Sequence, residues 1–256
     1  MESNSSDNRS VKSVHRAMEI VEQIRETGGA TVTELAEESE LAKSTVHGYL
    51  STMYDEGYLT KDGSVYHVGT KFLRLGEHSR TRRQEYSMIA EKVSDLAERT
   101  DERAQFVIEE HGQGVFLYRK TGEHAVETNS GTGKRMYLHS TSAGKSILAH
   151  FPQEKVETII EEWGLPVLTK NTISDREALL SELEDIRDRG YAFNHGENIE
   201  GLHAVGAPLV LEEQGVIGAL SISGPTHRMK GEWFNQELPD LLLGIINELE
   251  LNIAYQ

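Results

Sequence analysis

The chain has 256 residues, enough for one large or two ordinary domains, and 37% of them are hydrophobic, enough to bury substantial cores. It holds no run of about 18 apolar residues, so no transmembrane helix is expected, and its polar first ten residues do not resemble a signal peptide. The absence of cysteine excludes disulfides, thiolate chemistry and zinc fingers, and we expect a soluble cytoplasmic protein with no cofactor.

The formal net charge is −16, and the acidic excess is uneven along the chain. Residues 1–75 carry 8 basic and 12 acidic side chains, a difference of −4, whereas residues 76–256 carry 18 and 30, a difference of −12. Two explanations are open. An acidic surface suits a very salty cytoplasm, where charges are screened within about 3 Å at 1 M salt. Alternatively, an ordinary acidic domain follows a nearly neutral first domain.

The first predicted elements in the chain are two helices. Apolar residues recur at helical spacing over residues 11–26, and Gly28 and Gly29 end this helix because glycine adopts the left-handed cap conformation. Thr33 is the predicted N-cap of the next helix, over residues 34–39, because a threonine hydroxyl can accept a hydrogen bond from a first-turn amide.

A third helix and a hairpin follow. Apolar spacing predicts a helix over residues 43–56. Two strand-like runs, residues 58–60 and 64–68, flank Asp62-Gly63, which is a strong hairpin-turn pair. Helix, turn, helix and hairpin in this order predict a winged helix-turn-helix, which places one helix in the major groove of DNA.

The exposed face of the third helix carries small hydroxyls, an imidazole and a cation. Hydroxyl and imidazole groups suit base edges, while lysine and arginine suit phosphates. Gly48 has no side chain, and we expect it to let this helix approach DNA closely. The alternative is a three-helix bundle that mediates only protein contacts. The predicted DNA contacts are Arg16, Lys43, Ser44, Thr45, His47, Gly48 and Lys61.

The rest of the chain mixes helices and strands. Residues 70–85 are predicted to connect the two parts, and a domain boundary is placed after residue 75, giving domains 1–75 and 76–256. The predicted helices are 87–100, 142–150, 153–163, 174–189 and 230–254, and the predicted strands are 104–108, 114–118, 191–194, 203–211 and 215–223. This order predicts an α+β domain with an antiparallel sheet and flanking helices.

Several sequence motifs occur in an order that is specific to one known family. The motifs are SVHRA (13–17), LAKSTVH (41–47), YHVG (66–69), LHSTSAGKS (138–146), GLHAVGAP (201–208) and ALSISGP (219–225). Together they resemble the IclR family of transcription regulators, and the resemblance covers nearly the whole chain from about residue 10.

The resemblance implies a regulator of two domains. The winged helices would dimerise and read a pseudo-palindromic operator in double-stranded DNA. The second domain would be GAF-like and would bind a small organic effector, often a carboxylate or an aromatic acid, in a homodimer or homotetramer.

Three positions of this chain depart from the residues that are frequent in the IclR family. Gly48 replaces a frequent arginine, Asn194 an acidic residue, and Ala204 a cysteine.

A pocket for such an effector needs apolar walls and a few convergent polar groups. Ser221 and Ser223 alternate along one strand and therefore share a face, although the same alternation also suits plain sheet packing. Ser142 and Ala143 begin a predicted helix, where free amides and the helix dipole favour an anion. The predicted effector contacts are Met136, Leu138, Ser142, Ala143, Asn194, Ala204, Ser221 and Ser223.

The remaining chemistry-bearing residues give weaker indications. Lys145 is expected either to neutralise an acidic ligand or to be exposed on its helix. His139 lies near the presumed pocket, and His195 and His203 are close in sequence. No two histidines have the three- or four-residue spacing of a helical metal site, so no metal is expected.

Enzyme classes fit the sequence less well than a regulator does. Residues 140–146 contain the Gly-Lys-Ser end of a phosphate-binding loop, but His139 stands where its first glycine is needed. No Gly-x-Ser-x-Gly nucleophile elbow occurs. We therefore predict a ligand-responsive DNA-binding regulator and no catalysis. The alternative is a DNA-binding architectural protein without a ligand.

Overall fold

The computed structural model of the chain describes residues 11–123 and 131–255. The polar tail predicted at residues 1–10 lies outside these ranges. Among the described residues, no helix combines the length and the hydropathy that are needed to cross a bilayer.

The chain divides into two compact units, Met1–Arg82 and Arg83–Gln256. This division comes later than the boundary that the sequence suggested after residue 75. The reason is local, because residue 75 lies inside a helix, Lys71–Thr81, which belongs to the first unit.

In the first unit, the described residues form four helices and three strands. The helices are α1 (Lys12–Thr27), α2 (Val32–Ser39), α3 (Lys43–Asp55) and α4 (Lys71–Thr81). The strands are β1 (Ala30–Thr31), β2 (Leu59–Asp62) and β3 (Val65–Val68). They form an antiparallel sheet in the order β1-β3-β2, in which β2 and β3 are the predicted wing.

Helix α3 is held in place by one buried face. Val46 and Leu50 are 0% exposed and belong to the same core as Ile20 and Ile24 of α1 and Leu35 of α2. Their helical spacing puts them on one side of each helix. Fully burying such a side chain is worth about 1.5–3 kcal/mol, so this core fixes which side of α3 faces solvent.

Helix α2 begins two residues earlier than the sequence suggested. Its N-cap is Thr31, not Thr33, because Thr31 ends strand β1 in extended conformation and Val32 already has helical geometry. The Thr31 hydroxyl accepts a hydrogen bond from the Glu34 amide at 3.3 Å, and the Glu34 carboxylate accepts from the Thr31 amide at 2.8 Å. This reciprocal capping box leaves Thr33 inside the first turn.

The predicted connector is largely helical, since it contains α4. Lys71 Nζ donates to the Glu56 carbonyl at 2.7 Å and lies 4.1 Å from the centre of the Tyr58 ring. The ring of Phe72 lies 5.2 Å from that of Tyr58. These contacts tie the first turn of α4 to the turn that follows α3.

In the second unit, the described residues form five α-helices and a six-stranded sheet. The helices are α5 (Glu85–Thr100), α6 (Ser142–Ala149), α7 (Gln153–Trp163), α8 (Arg176–Arg189) and α9 (Leu238–Ala254). The strands are β4 (Arg103–Glu110), β5 (Gln113–Thr121), β6 (Arg135–Met136), β7 (Ala192–His195), β8 (Leu202–Leu211) and β9 (Gly215–Pro225). All neighbouring strands in the order β6-β5-β4-β9-β8-β7 are antiparallel, which confirms the predicted α+β class.

The sheet of the second unit has a core on each face. Alternate residues of a strand point to opposite faces. Phe106 and Ile222 therefore pack in the core that contains α5 and α9, whereas Val107 and Ala219 pack in the core that contains α6, α7 and α8.

The last helix is less regular than the predicted single helix over residues 230–254. A π-helical turn, Trp233–Glu237, comes before α9. Pro239 stands at the start of α9 and has no amide hydrogen to donate to a carbonyl one turn earlier, which accounts for an irregular backbone at this point.

Candidate functional site

The first candidate surface is the solvent-facing side of α3. Lys43, Ser44, Thr45, His47 and Gly48 are all exposed, while the opposite side of the helix is buried in the core of the first unit. The structure therefore brings these five predicted DNA contacts together on one accessible surface.

The N-terminus of α3 is open to a ligand. Ala42 is its N-cap residue and offers no side-chain oxygen, so the first-turn amides receive no side-chain cap. Lys43 lies at the same end and donates from Nζ to the Thr33 hydroxyl at 3.3 Å. A helix N-terminus with exposed amides and a nearby ammonium group suits a phosphate oxygen.

The other predicted DNA contacts lie around this surface in different ways. A Cβ added at Gly48 would have no atom within 4 Å, so the backbone there is open. Lys61 is exposed on the wing, with its Nζ 4.9 Å from the centre of the Tyr66 ring. Arg16 lies on α1, where it donates to the Glu19 carboxylate at 2.8 Å. Both groups of that pair are about half exposed, so the pair holds Arg16 only weakly.

The second candidate site is a cavity of about 510 Å³ in the second unit, on the face of the sheet that α6 covers. Its floor is formed by β4, β9 and β8, and the start of α6 forms one wall. The predicted effector contacts that line it are Met136, Ser142, Ala143, Asn194, Ala204, Ser221 and Ser223. Leu138 does not line this cavity. It lies in a 3₁₀ turn, Leu138–Ser140, and its side chain is buried in the core beneath α6.

The floor of the cavity is polar. Ser221 and Ser223 share a face as predicted, and each is 5% exposed. They pair across the sheet with Gln105 and Arg103, respectively. The Ser223 hydroxyl accepts a hydrogen bond from Gln105 Nε2 at 2.9 Å.

The start of α6 presents backbone amides to the cavity. The Thr141 hydroxyl caps this helix by accepting from the Gly144 amide at 3.0 Å, which leaves the Ser142 and Ala143 amides without an intrahelical acceptor. The close approach of α6 to β8 depends on Gly206. A Cβ at that position would lie 2.7 Å from the Ala143 nitrogen.

Comparison with protein families gives two matches that together span most of the chain. Residues 13–63 match the family described as "IclR helix-turn-helix domain", and residues 83–245 match "Bacterial transcriptional regulator IclR C-terminal". The chain belongs to the IclR family of transcriptional regulators. Both the α3 surface and the cavity therefore lie in segments that match this family.

Individual IclR relatives agree with the family match. "Probable HTH-type transcriptional regulator ArcR" of Halobacterium salinarum is 34% identical, covering 98% of this chain and 97% of that protein. The crystal structure of Thermotoga maritima IclR matches with a TM-score of 0.81 at 28% identity, covering 96% of this chain and 100% of that chain. An IclR homolog from Microbacterium hydrocarbonoxydans, solved in complex with 4-hydroxybenzoate, shares the fold with a TM-score of 0.78 at 23% identity, covering 95% and 98%.

These relatives confirm three predictions about this IclR-family chain. The family is the one that the motifs indicated, and the fold is a helix-turn-helix domain followed by an α+β domain. The relatives are transcriptional regulators and not enzymes.

Asn194 lines the IclR-family cavity, but its side chain is already engaged. Its Nδ2 donates to the Ser140 carbonyl at 2.6 Å, and its Oδ1 accepts from the amides of Gly196 and Glu197, each at 2.9 Å. These bonds organise the loop between β7 and β8, part of which covers the cavity. The structure therefore gives Asn194 a role in shaping the site through this loop.

Lys145 fits neither of its two predicted roles. It is 1% exposed and does not line the cavity. Its Nζ lies 2.8 Å from the Glu197 carboxylate and 3.4 Å from that of Glu182. Burial raises the pKa of Glu197, and the Lys145 charge counteracts this effect. The pair joins α6 to the same loop that Asn194 organises.

His139, His195 and His203 do not line the cavity. His139 is buried, and burial lowers its pKa. The rings of His195 and His203 lie 5.2 Å apart, and that of His203 stacks on Phe234. No group of three or more histidine and carboxylate side chains suited to a metal occurs in the described ranges.

Sequence reasoning missed Arg103 and Gln105, which line the cavity floor. The signal was present, because these two polar residues alternate at the start of the otherwise apolar strand β4. A charged residue on the buried face of a strand is rare unless a partner or a ligand compensates its charge.

Proposed function

We propose that this chain is a ligand-responsive regulator of the IclR type. Winged heads of a homodimer or homotetramer bind a pseudo-palindromic operator, and a small organic acid in the cavity modulates that binding. One observation carries the proposal. A single chain combines an exposed α3 surface that suits DNA with a cavity of about 510 Å³ whose floor holds polar groups.

The α3 surface supports a specific division of labour among its residues. Thr45, Ser44 and His47 contact base edges, because hydroxyl and imidazole groups donate and accept hydrogen bonds in the major groove. Lys43 and the N-terminal amides of α3 hold a phosphate. Lys61 on the wing and Arg16 on α1 hold further phosphates, and Gly48 allows close approach of the helix backbone.

The cavity supports a small acid as the effector. Drug-sized ligands occupy pockets of about 300–1,000 Å³ with apolar walls and a few convergent polar groups. This cavity combines the side chains of Val107, Phe116 and Met136 with serine hydroxyls and the α6 amides. The bound 4-hydroxybenzoate of the Microbacterium hydrocarbonoxydans homolog is an aromatic acid of suitable size and charge.

Effector binding changes operator affinity through a coupling free energy. Such coupling is typically 1–3 kcal/mol, or roughly 5–150-fold in affinity. Helix α4 and the residues up to α5 join the two units along the chain and transmit this effect in our proposal.

The DNA-binding half of the proposal predicts different outcomes for two variants. Thr45→Ala should lose about 1–3 kcal/mol of discrimination at one base pair. Lys61→Ala should weaken all sequences alike and reduce the slope of log affinity against log salt by about 0.9. Operator fragments selected from genomic DNA, titrated at several salt concentrations, measure both quantities. Lys170→Ala, an exposed lysine of the second unit, is the charge-matched control and should change neither. Unchanged base preference in Thr45→Ala would contradict the role of α3.

The effector half is tested with small acids, starting with 4-hydroxybenzoate. A true ligand at a hundredfold excess over its dissociation constant should stabilise the protein by about 2.7 kcal/mol and should change operator affinity. Thermal unfolding and operator titration, with and without each acid, measure the two effects. Operator binding that no acid alters would instead favour an architectural protein without a ligand.

A further inference from the structure

Two apolar side chains stand where the cavity of the second unit opens to solvent. Leu168 and Ile199 both line the cavity, and each is 41% exposed. A side chain that lines a cavity and is also exposed lies at the mouth of that cavity. Leu168 belongs to the first loop (residues 164–175, between α7 and α8), and Ile199 belongs to the second loop (residues 196–201, between β7 and β8). We refer to these two side chains as the apolar rim.

Hydroxyl groups of the first loop hold the second loop. The Thr169 hydroxyl donates to the Gly196 carbonyl at 2.7 Å, and the Thr172 hydroxyl donates to the Glu197 carbonyl at 2.6 Å. The Thr172 hydroxyl also accepts from the Leu168 amide at 3.1 Å. The same hydroxyl therefore binds the second loop and fixes the backbone that carries Leu168.

The second loop is also fixed to the rest of the second unit. The Glu197 carboxylate lies 2.8 Å from the Lys145 ammonium of α6. The Asn194 side chain accepts from the Gly196 amide and donates to the Ser140 carbonyl. These contacts hold the apolar rim in place without a ligand, so little conformational entropy is lost when a ligand packs against it.

The position of the apolar rim, and not its exposure alone, points to the effector. Single exposed apolar side chains are common on protein surfaces. Val167 is such a side chain, because it is 66% exposed in the first loop but does not line the cavity. The apolar rim is instead continuous with the cavity, whose floor is polar and whose walls include Val107 and Phe116. A ligand that extends from the floor to the mouth would remove the apolar surface of the rim from water, and each methylene group so buried is worth about fourfold in affinity.

We propose that the apolar rim selects the effector by packing against an apolar group that reaches the mouth of the cavity. The effector is then a small acid whose alkyl or aryl group is long enough to contact Leu168 and Ile199. This inference rests on the proposed function of the cavity as an effector site. It narrows the effector from small acids in general to acids with an apolar tail, and it excludes short or fully polar acids as the preferred ligand.

The experiment measures affinity against the length of the apolar group. Isothermal titration of the full chain uses two series of acids. One series runs from acetate through butanoate and hexanoate to octanoate, and the other consists of benzoate and its 4-methyl, 4-ethyl and 4-butyl derivatives. In at least one series, affinity should rise about fourfold for each added methylene group that reaches the rim.

Variants of the rim test which side chains produce this dependence on length. Leu168→Ala should weaken the longest acid that binds by roughly tenfold, because the tail loses apolar contact, and should leave the shortest within about twofold. Ile199→Ala should act in the same way. Leu168→Met has a side chain of similar volume and should keep the length dependence. Val167→Ala is the matched control, since it shortens the neighbouring side chain outside the cavity and should change no affinity by more than about twofold.

The outcomes separate this inference from the function on which it rests. Affinity that does not rise with length in either series, an equal loss for short and long acids in Leu168→Ala, a similar loss in Val167→Ala, or no binding by any acid would each overturn the inference. Operator titration is run in parallel. An acid series that binds with the expected length dependence without changing operator affinity would sustain the inference and contradict the proposed function. Acids that change operator affinity alike at every length would sustain the proposed function and overturn the inference.

Discussion

Replacing Lys145 with methionine is expected to destabilise the second unit by about 3–5 kcal/mol. Lys145 is 1% exposed, and its ammonium lies 2.8 Å from the carboxylate of Glu197, which is 5% exposed. Removing one partner of a buried ion pair leaves the other charge uncompensated, which costs more than the pair contributed. Because Lys145 joins α6 to the loop between β7 and β8, the cavity should also be perturbed.

Urea unfolding of the full chain, followed by circular dichroism, measures this loss. The double variant Lys145→Met/Glu197→Gln should lose much less unfolding free energy than the sum of the two single variants, because neither charge is then left alone.

The loss of unfolding free energy in Lys145→Met should be larger at pH 8 than at pH 5. Burial already raises the pKa of Glu197 in the natural chain, and loss of the Lys145 charge should raise it further in the variant. The folded variant then binds more protons than the folded natural chain over this range, so its stability falls more as the pH rises. Lys155→Met breaks a pair with Glu109 in which the lysine is 43% exposed, so solvent screens its charge and the loss should be no more than about 1 kcal/mol. A similar loss of unfolding free energy in Lys145→Met and Lys155→Met would contradict the claim that burial makes the Lys145 pair the costlier one to break.

Gly206→Ala is expected to cost about 1–3 kcal/mol and to weaken effector binding. The new Cβ would lie 2.7 Å from the Ala143 nitrogen and 2.8 Å from the Ser142 carbonyl carbon. Both contacts are to backbone atoms, so no change of rotamer relieves them, and α6 must move away from β8. That movement displaces the amides that line the cavity and strains the bond from the Ser146 hydroxyl to the Gly206 carbonyl, now 2.8 Å long.

A matched control for this variant lies in the same unit. Gly244 is on α9, and a Cβ there would meet no atom within 4 Å. Gly244→Ala should therefore be neutral or stabilising, by up to about 1 kcal/mol, because alanine favours a helix over glycine. Thermal unfolding of both variants, together with titration of any acid that binds the natural chain, distinguishes a steric effect from a general effect of the methyl group. Unaltered stability and acid binding in Gly206→Ala would show that α6 can shift without cost.

Much of the candidate site was predictable from local patterns. The helical spacing of Val46 and Leu50 fixes the buried side of α3 and therefore its exposed side. The alternation of Ser221 and Ser223 places both hydroxyls on one face of β9. These patterns act over a few residues, and the periodicity of a helix or a strand is enough to interpret them.

Other features depended on residues that are far apart in sequence. Lys145 meets Glu197 across 52 positions, and the partners of Asn194 include a carbonyl 54 positions away. Both residues were predicted from their own surroundings in the sequence, and both have tertiary partners that the sequence does not reveal. Leu138 was predicted to line the cavity, but it lies in a 3₁₀ turn and its side chain is buried in the core beneath α6.

By itself, the sequence determined the order and type of most elements, the family and the exposed side of α3, because apolar periodicity and local motifs carry that information. The tertiary structure alone decided which polar groups share the cavity. Sheet register brings Arg103 opposite Ser223, and the lack of a side chain at Gly206 brings the amides of α6 onto the floor. Each of these contacts joins segments separated by many residues, and their free energy arises only when the packed sheet places those segments together.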